Sequence, residues 1–199
     1  MIVIIDYGMG NLRSVQKAVE HAGAKAKISQ KAEDIQNASK VILPGVGAIQ
    51  PAVEKLSSLN LIGPIKNFIK EGKPFLGICL GLQLLFDKSN EGGDVKGLGI
   101  LAGDVVRFTS LKVPHMGWNQ LKIKNKKCPL FKGVQDGADV YFCHSYYVQP
   151  KDKNITATAT GYGRDFVSSI NIGNIYGVQF HPEKSQTAGL KILENFIKL

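Results

Sequence analysis

Cysteine is scarce in this 199-residue chain, with three, tryptophan occurs once, and long apolar runs are missing. An odd cysteine count argues against a closed disulfide framework, and the three lie in unlike settings. Cys79 and Cys143 fall in apolar, strand-like runs, whereas Cys128 precedes a proline in a lysine-rich loop. A chain of this length buries a full core without cross-links or structural metals, and neither a metal nor a cofactor is expected. No apolar stretch approaches the roughly 18 residues that a membrane span needs, and no leader-type segment opens the sequence. The chain is therefore expected to be soluble and cytoplasmic, with no membrane partner. Repeats, linkers and low-complexity segments are also missing, so one domain is expected over residues 1–199.

Acidic residues are the short side of the charge balance: 16 Asp and Glu against 25 Lys and Arg leave a formal charge of +9. Such an excess raises the question of a nucleic-acid partner. The lysines are dispersed, however. Only Lys122, Lys124, Lys126 and Lys127 cluster, in a predicted hairpin, with no aromatic row to stack bases. A solvated face, or one that meets an acidic partner, is expected there, and no nucleic acid.

What the chain does contain is an alternation of strand-like and helix-like segments. Met1–Ile5 is a β-branched apolar run that predicts a buried first strand. Asn11 is placed to cap a helix with the apolar face Leu12, Val15, Val19 and Ala22, which Gly23 stops. Gly8-x-Gly10 lacks the third glycine and the acidic residue of a dinucleotide fingerprint, which excludes that reading. Further strands are predicted over Ala24–Ile28 and Val41–Leu43, and helices over Ile49–Leu59 and Leu61–Glu71. Past Ser89 the pattern changes to short β-like runs: Val105–Phe108, Gln120–Ile123, Val140–Cys143, Ile155–Thr160 and Phe166–Ile170. A strand over Ile175–Phe180 and a helix capped by Thr187 close the chain. The expected fold class is α/β, a mostly parallel central sheet flanked by helices with a mixed or antiparallel β extension.

The most informative stretch is Lys73 to Asp87. Phe75–Ile78 reads as a buried parallel strand, and Leu80–Phe86, with apolar residues at 82, 85 and 86, as a helix. Cys79 stands between them in Gly77-Ile78-Cys79-Leu80-Gly81, the thiol counterpart of a nucleophile elbow. A nucleophile on a sharp strand-to-helix turn needs small neighbours, and a helix start beside the sulfur favours thiolate. A second glycine-rich loop, Pro44-Gly45-Val46-Gly47, follows a predicted strand and is placed to offer a backbone N–H to an oxyanion.

A cysteine nucleophile needs a base, and the base an orienting group. Of four histidines, His21 lies near a helix end, His115 in the loop Val113–Trp118, and His144 after an apolar strand. His181 ends a strand, as Cys79 does, and active sites of open α/β sheets lie beyond such carboxyl ends. Glu183 is two residues on and points the same way in extended chain, so it can fix the imidazole tautomer. These residues together predict a Cys79–His181–Glu183 triad.

On these motifs the chain resembles the class I (triad) glutamine amidotransferases, a flavodoxin-like fold family. The two signatures are Gly77-Ile78-Cys79-Leu80-Gly81-Leu82-Gln83 and Gly177-Val178-Gln179-Phe180-His181-Pro182-Glu183. Four further blocks make it most similar to the glutaminase subunits of imidazole glycerol phosphate synthases. They are Asp6–Leu12, Pro44–Ala48, His115–Asn119 and Phe142–Tyr147. The resemblance spans the chain and implies hydrolysis of L-glutamine to glutamate and ammonia, with Cys79, His181 and Glu183 catalytic. It implies an oxyanion hole from the Leu80 and Val46 N–H groups, and glutamine-binding positions at Gly47, Gln83, Ser145 and Tyr146. His144 has no place in the triad. A (β/α)8-barrel cyclase subunit would receive the ammonia in histidine biosynthesis, across an interface at Asn11, Trp118, Tyr141 and Lys184. Two alternatives stay open: a paralogous glutaminase serving a different acceptor enzyme, and a non-catalytic scaffold on the same fold.

Overall fold

In the computed structural model, which describes residues 1–199, strands and helices alternate through the first half of the chain. The order is β1 (Ile2–Ile5), α1 (Leu12–His21), β2 (Ala26–Ser29), α2 (Ala32–Gln36), β3 (Lys40–Gly45), α3 (Ile49–Ser58), α4 (Ile62–Lys70) and β4 (Phe75–Cys79). A one-turn helix α5 (Leu80–Gln83) follows, then β5 (Phe86–Ser89), β6 (Val95–Lys96), β7 (Leu101–Arg107), β8 (His115–Gln120) and β9 (Lys122–Ile123). Strands β10 (Asp139–His144), β11 (Tyr146–Pro150), β12 (Thr156–Gly161), β13 (Asp165–Ile172) and β14 (Ile175–Val178) lead to α6 (Gln186–Ile197).

The main sheet runs β2-β1-β3-β4-β14-β13-β11-β7-β5-β6. Its first five strands are parallel, and β14 lies beside β4 in register Gly177–Gly77 and Val178–Ile78. From β14 to β7 the pairing is antiparallel, which is the expected mixed extension. Both faces are covered, as a parallel sheet requires. Side chains alternate across β1, so Ile2 and Ile4 join the core under α1 and α6 with Val15, Val19, Ile192 and Phe196. Val3 and Ile5 face the other way, into the core with Ile35 of α2, Leu56 of α3 and Phe68 of α4. No helix is long and apolar enough to cross a membrane.

Several local expectations are corrected. The helix after Cys79 ends at Gln83, and Phe86 belongs to β5, which pairs with β7. Leu82, Leu85 and Phe86 are all fully buried, so their helical spacing reflected burial on every side and not one face of a long helix. Asn11 precedes α1 without a side-chain cap bond. Thr187 lies inside α6, whose N-cap position is Ser185. His115 begins β8 and is 3% exposed, where a loop was expected. Helix α2 and strands β5, β6 and β11 carry too little periodicity to be read from sequence. Lys122 lies on β9, which pairs with β12, and its ammonium bonds Asp165, so the basic cluster straddles a strand and its following turn.

Candidate active site

The parallel strands deliver their carboxyl ends side by side. Gly45 at the end of β3 pairs with Cys79 at the end of β4, and β14 leads directly into Gln179, Phe180 and His181. Cys79 takes φ 53° and ψ −106°, a positive-φ backbone that side-chain-bearing residues rarely adopt. The flanking glycines make that turn possible through space. A Cβ on Gly77 would lie 2.6 Å from the Gly81 carbonyl oxygen, and one on Gly81 would overlap the Leu43 carbonyl. The elbow predicted from sequence is present, with its sulfur nearly buried at 5% residue exposure.

His181 and Glu183 form a buried pair, with Nδ1 of the ring 2.9 Å from Oε1 of the carboxylate. The histidine therefore carries a proton on Nδ1, which leaves Nε2 for the sulfur. Burial acts to lower the His181 pKa. Hydrogen bonds to Cys79 and Glu183, together with their charges, outweigh burial and push it up to about 10. A protonated His181 beside the sulfur and a carboxylate is the electrostatic arrangement of a thiolate–imidazolium pair. The second carboxylate oxygen, Oε2, is buried without a hydrogen-bond partner, so Glu183 is compensated through the His181 ring. The ring is also held through its own backbone. His181 N donates to the Tyr141 carbonyl at 2.9 Å, and the Ser185 hydroxyl donates to the His181 carbonyl while accepting from Tyr141 N.

A cavity of about 450 Å³ opens over the sulfur. Val46, Gly47, Leu80, Gln83, Ser145, Tyr146, His181 and Lys184 line it, alongside Cys79. Every expected oxyanion and glutamine-binding position thus meets the nucleophile in one cavity. Gly47 has φ 99°, and Gly45 packs so closely that a Cβ there would overlap the Tyr7 hydroxyl. Glycine is thus required at both positions of the Pro44–Gly47 loop, once for conformation and once for space. Gln83 is 5% exposed and donates to the Tyr146 carbonyl at 3.0 Å. His144 lines the cavity and is buried; its Nδ1 lies 2.8 Å from the same carbonyl, and burial holds its pKa down to about 3. A neutral, doubly bonded ring has no general-base role, in keeping with its exclusion from the triad.

The residues expected at a partner surface lie beside this mouth. Trp118 pairs across β8 and β10 with Tyr141, their rings meet edge to face at 6.0 Å, and the Lys184 ammonium sits 5.6 Å over the Tyr141 ring. Met116 and Trp118 are 60% and 49% exposed, so this ribbon presents an apolar face to solvent. Asn11 is exposed just ahead of α1, and Gly10 beside it packs on Gly45.

Two site residues were missed from sequence. Glu91 lines the cavity and accepts from the Ile49 N–H at 2.9 Å, capping α3 from 42 residues away, which no local signal announces. Gln179 touches the nucleophile; its position two residues before His181 was the available signal.

Comparison with known proteins agrees in kind with this site. Residues 3–199 match the family described as Glutamine amidotransferase class-I. The chain is 51% identical to the imidazole glycerol phosphate synthase subunit HisH of Rhodopirellula baltica, over 98% of this chain and 96% of that protein. It is 54% identical to the HisH subunit of Methanosarcina acetivorans, over 100% of this chain and 98% of that one. Among solved structures, one described as a glutamine amidotransferase superposes with a TM-score of 0.78 at 17% identity, over 100% of this chain and 98% of that one. PurLQS from Thermotoga maritima gives 0.77 at 19% identity, over 99% of this chain and 97% of that one.

Proposed function

The chain belongs to the class I glutamine amidotransferase family, and from that premise we propose that it is the glutaminase subunit of an imidazole glycerol phosphate synthase. It forms one amidotransferase domain over residues 1–199, works in the cytoplasm in histidine biosynthesis, and takes L-glutamine as substrate. Its partner subunit is a (β/α)8-barrel cyclase, which uses the ammonia to make imidazole glycerol phosphate and AICAR. The observation that carries this reading is the buried His181–Glu183 pair beside the strained Cys79 elbow, at the floor of a cavity lined by Gln83, Ser145 and Tyr146.

The chemistry follows from that geometry. Cys79 thiolate attacks the side-chain amide carbon of glutamine, and the carbonyl oxygen takes up the charge. The N–H groups of Leu80 and Val46 stabilise that oxyanion, and each such donor is worth about 3–4 kcal/mol. Imidazolium of His181 gives its proton to the departing nitrogen, which leaves as ammonia and a thioester remains on Cys79. Neutral His181 then takes a proton from water, hydroxide adds to the thioester, and glutamate and thiolate are regenerated. Glu183 keeps the Nδ1–H tautomer and steadies the imidazolium in both halves.

Ammonia released into water near pH 7 becomes mostly ammonium and loses its nucleophilicity, so a partner must close over the site. Asn11, Trp118, Tyr141 and Lys184 form the interface in this reading. An exposed tryptophan against a half-buried tyrosine with a cation over its ring is the kind of side-chain group that anchors interfaces.

The deciding experiment mixes the chain with a candidate cyclase and its phosphorylated substrate and supplies either glutamine or ammonia. Cys79→Ala is expected to abolish the glutamine-dependent product and leave the ammonia-dependent product intact. Retention of the glutamine reaction would sink the triad assignment. Loss of both reactions would place Cys79 in structure alone.

A further inference from the structure

Gln179 is fully buried, and no step above uses it. It follows β14 directly, and the register of β14 on β4 brings it next to Cys79. Its Nε2 lies 3.6 Å from the Cys79 sulfur, and its Oε1 lies 3.0 Å from Gln83 Nε2. Amide orientation is ordinarily ambiguous between oxygen and nitrogen. Here the surroundings decide it.

Gln83 Nε2 also lies 3.0 Å from the Tyr146 carbonyl, a group that can only accept. Gln83 must therefore turn its amino group that way. An amide nitrogen only donates, so the atom of Gln179 facing Gln83 has to be oxygen, and its amino group faces the sulfur. The Tyr146 carbonyl is fixed from its other side by His144 Nδ1–H. His144 Nε2 in turn accepts from His115 Nδ1 at 2.9 Å, and His115 Nε2 from Asn119 Nδ2 at 3.2 Å. Each proton in this chain has one possible direction. The arm that passes through Gln83 and Gln179 ends on the nucleophile.

We propose that Gln179, aimed by Gln83, donates a hydrogen bond to the Cys79 thiolate and holds the sulfur in its charged, attacking form. An N–H donor bonds a thiolate more strongly than a thiol, so it favours the ion. Sulfur loses that charge when it attacks and regains it when the thioester breaks, so the same donor assists the departure of thiolate in the second half of the reaction. The titratable groups beside the sulfur are His181 and Tyr7. Gln179 is an uncharged amide, so its donation to the sulfur does not change with pH. This inference rests on Cys79 being the nucleophile of the glutaminase reading, and it adds a residue that reading did not contain.

The test is alkylation of the isolated chain by iodoacetamide, with the Cys79 peptide followed by mass spectrometry and Cys128 and Cys143 as internal controls. Gln179→Met keeps the length and removes the donor. The acid limb of the Cys79 rate–pH profile is expected to move up by about one unit, which slows the reaction about tenfold on that limb and leaves the alkaline plateau near the wild-type rate. A change in access alone would slow it equally at every pH and would overturn the proposal, as would an unchanged profile. Gln83→Met leaves Gln179 in place but unaimed, and a smaller slowing with the same alkaline recovery is expected. Should Gln179→Met fail to fold, an unchanged Gln83→Met rate overturns the proposal by itself. Alkylation needs neither glutamine nor partner, so the two readings fail separately. Slowed alkylation in a chain that never supports the glutamine reaction removes the glutaminase reading and keeps the Gln179–Cys79 bond. Unchanged alkylation in a working glutaminase removes only the bond.

Discussion

Lowering the pH from 7 to 5 challenges two histidines that the catalytic steps leave alone. His115 and His144 are 3% and 6% exposed, packed among Phe108, Phe142, Phe166 and Tyr162. Each has its one acceptor nitrogen already bonded, by Asn119 and by His115 respectively. Protonating either ring breaks a hydrogen bond and buries a charge among aromatics. Burial holds their pKa values down to about 4 and about 3. In the unfolded chain both return to the ordinary value near 6.5. The unfolded state therefore binds more protons below pH 6.5, and folding stability falls as the pH falls, down to about 4 and about 3.

Between pH 7 and 5 each histidine contributes a loss of about 1.9 kcal/mol at 1.36 kcal/mol per unit, together about 4 kcal/mol. His181 works in the opposite sense. Its pKa is raised to about 10, so its contribution is complete below 6.5 and is lost only as the pH rises towards 10. It returns less than about 1 kcal/mol over the same interval, which leaves a net loss of about 3 kcal/mol. Urea unfolding at the two pH values measures this directly. A His115→Gln/His144→Gln double variant is expected to be less stable at pH 7 but nearly indifferent to acidification. If wild type and double variant lose the same free energy between pH 7 and 5, the buried pair is not what makes the protein acid-sensitive.

Four further outcomes are expected. Glu183→Gln should lower glutamine turnover in the complex on the order of 10³-fold or more with KM little altered, because the imidazolium loses its partner; a KM effect alone would assign Glu183 to binding. Gly81→Ala should destabilise the fold by about 3 kcal/mol or more in chemical denaturation, since its Cβ meets a backbone carbonyl that cannot step aside. Tyr7→Phe should be neutral or stabilising by about 1 kcal/mol, because the hydroxyl it removes is buried with no partner. The same change should partly rescue Gly45→Ala, whose Cβ would overlap that hydroxyl while keeping a 3.0 Å contact with Leu80 Cβ. A destabilising Tyr7→Phe would mean that the hydroxyl bonds the loop.

The parts of this protein that were legible in its sequence are those written in local pattern. The run Phe75–Ile78 and the glycines at 77 and 81 announced a strand ending in a crowded turn, and the His181–Glu183 spacing announced a pair on one side of an extended segment. What failed to show was whatever depends on neighbours distant in sequence. Leu82, Leu85 and Phe86 look the same whether a helix continues or a strand begins, because both are buried on all sides. His115 looked like a loop residue because its burial comes from Phe142 on β10 and Tyr162 in the turn between β12 and β13, both distant in sequence. Gln179 shows the boundary most clearly. Alternation already put it on the His181 side of the chain, and that much was readable two residues upstream. Its orientation was not, because the direction of its amide is set by Gln83, 96 residues away, and behind that by a carbonyl at Tyr146. A nucleophile motif therefore names the sulfur, but the donor that steadies it is specified only once β4 and β14 lie side by side.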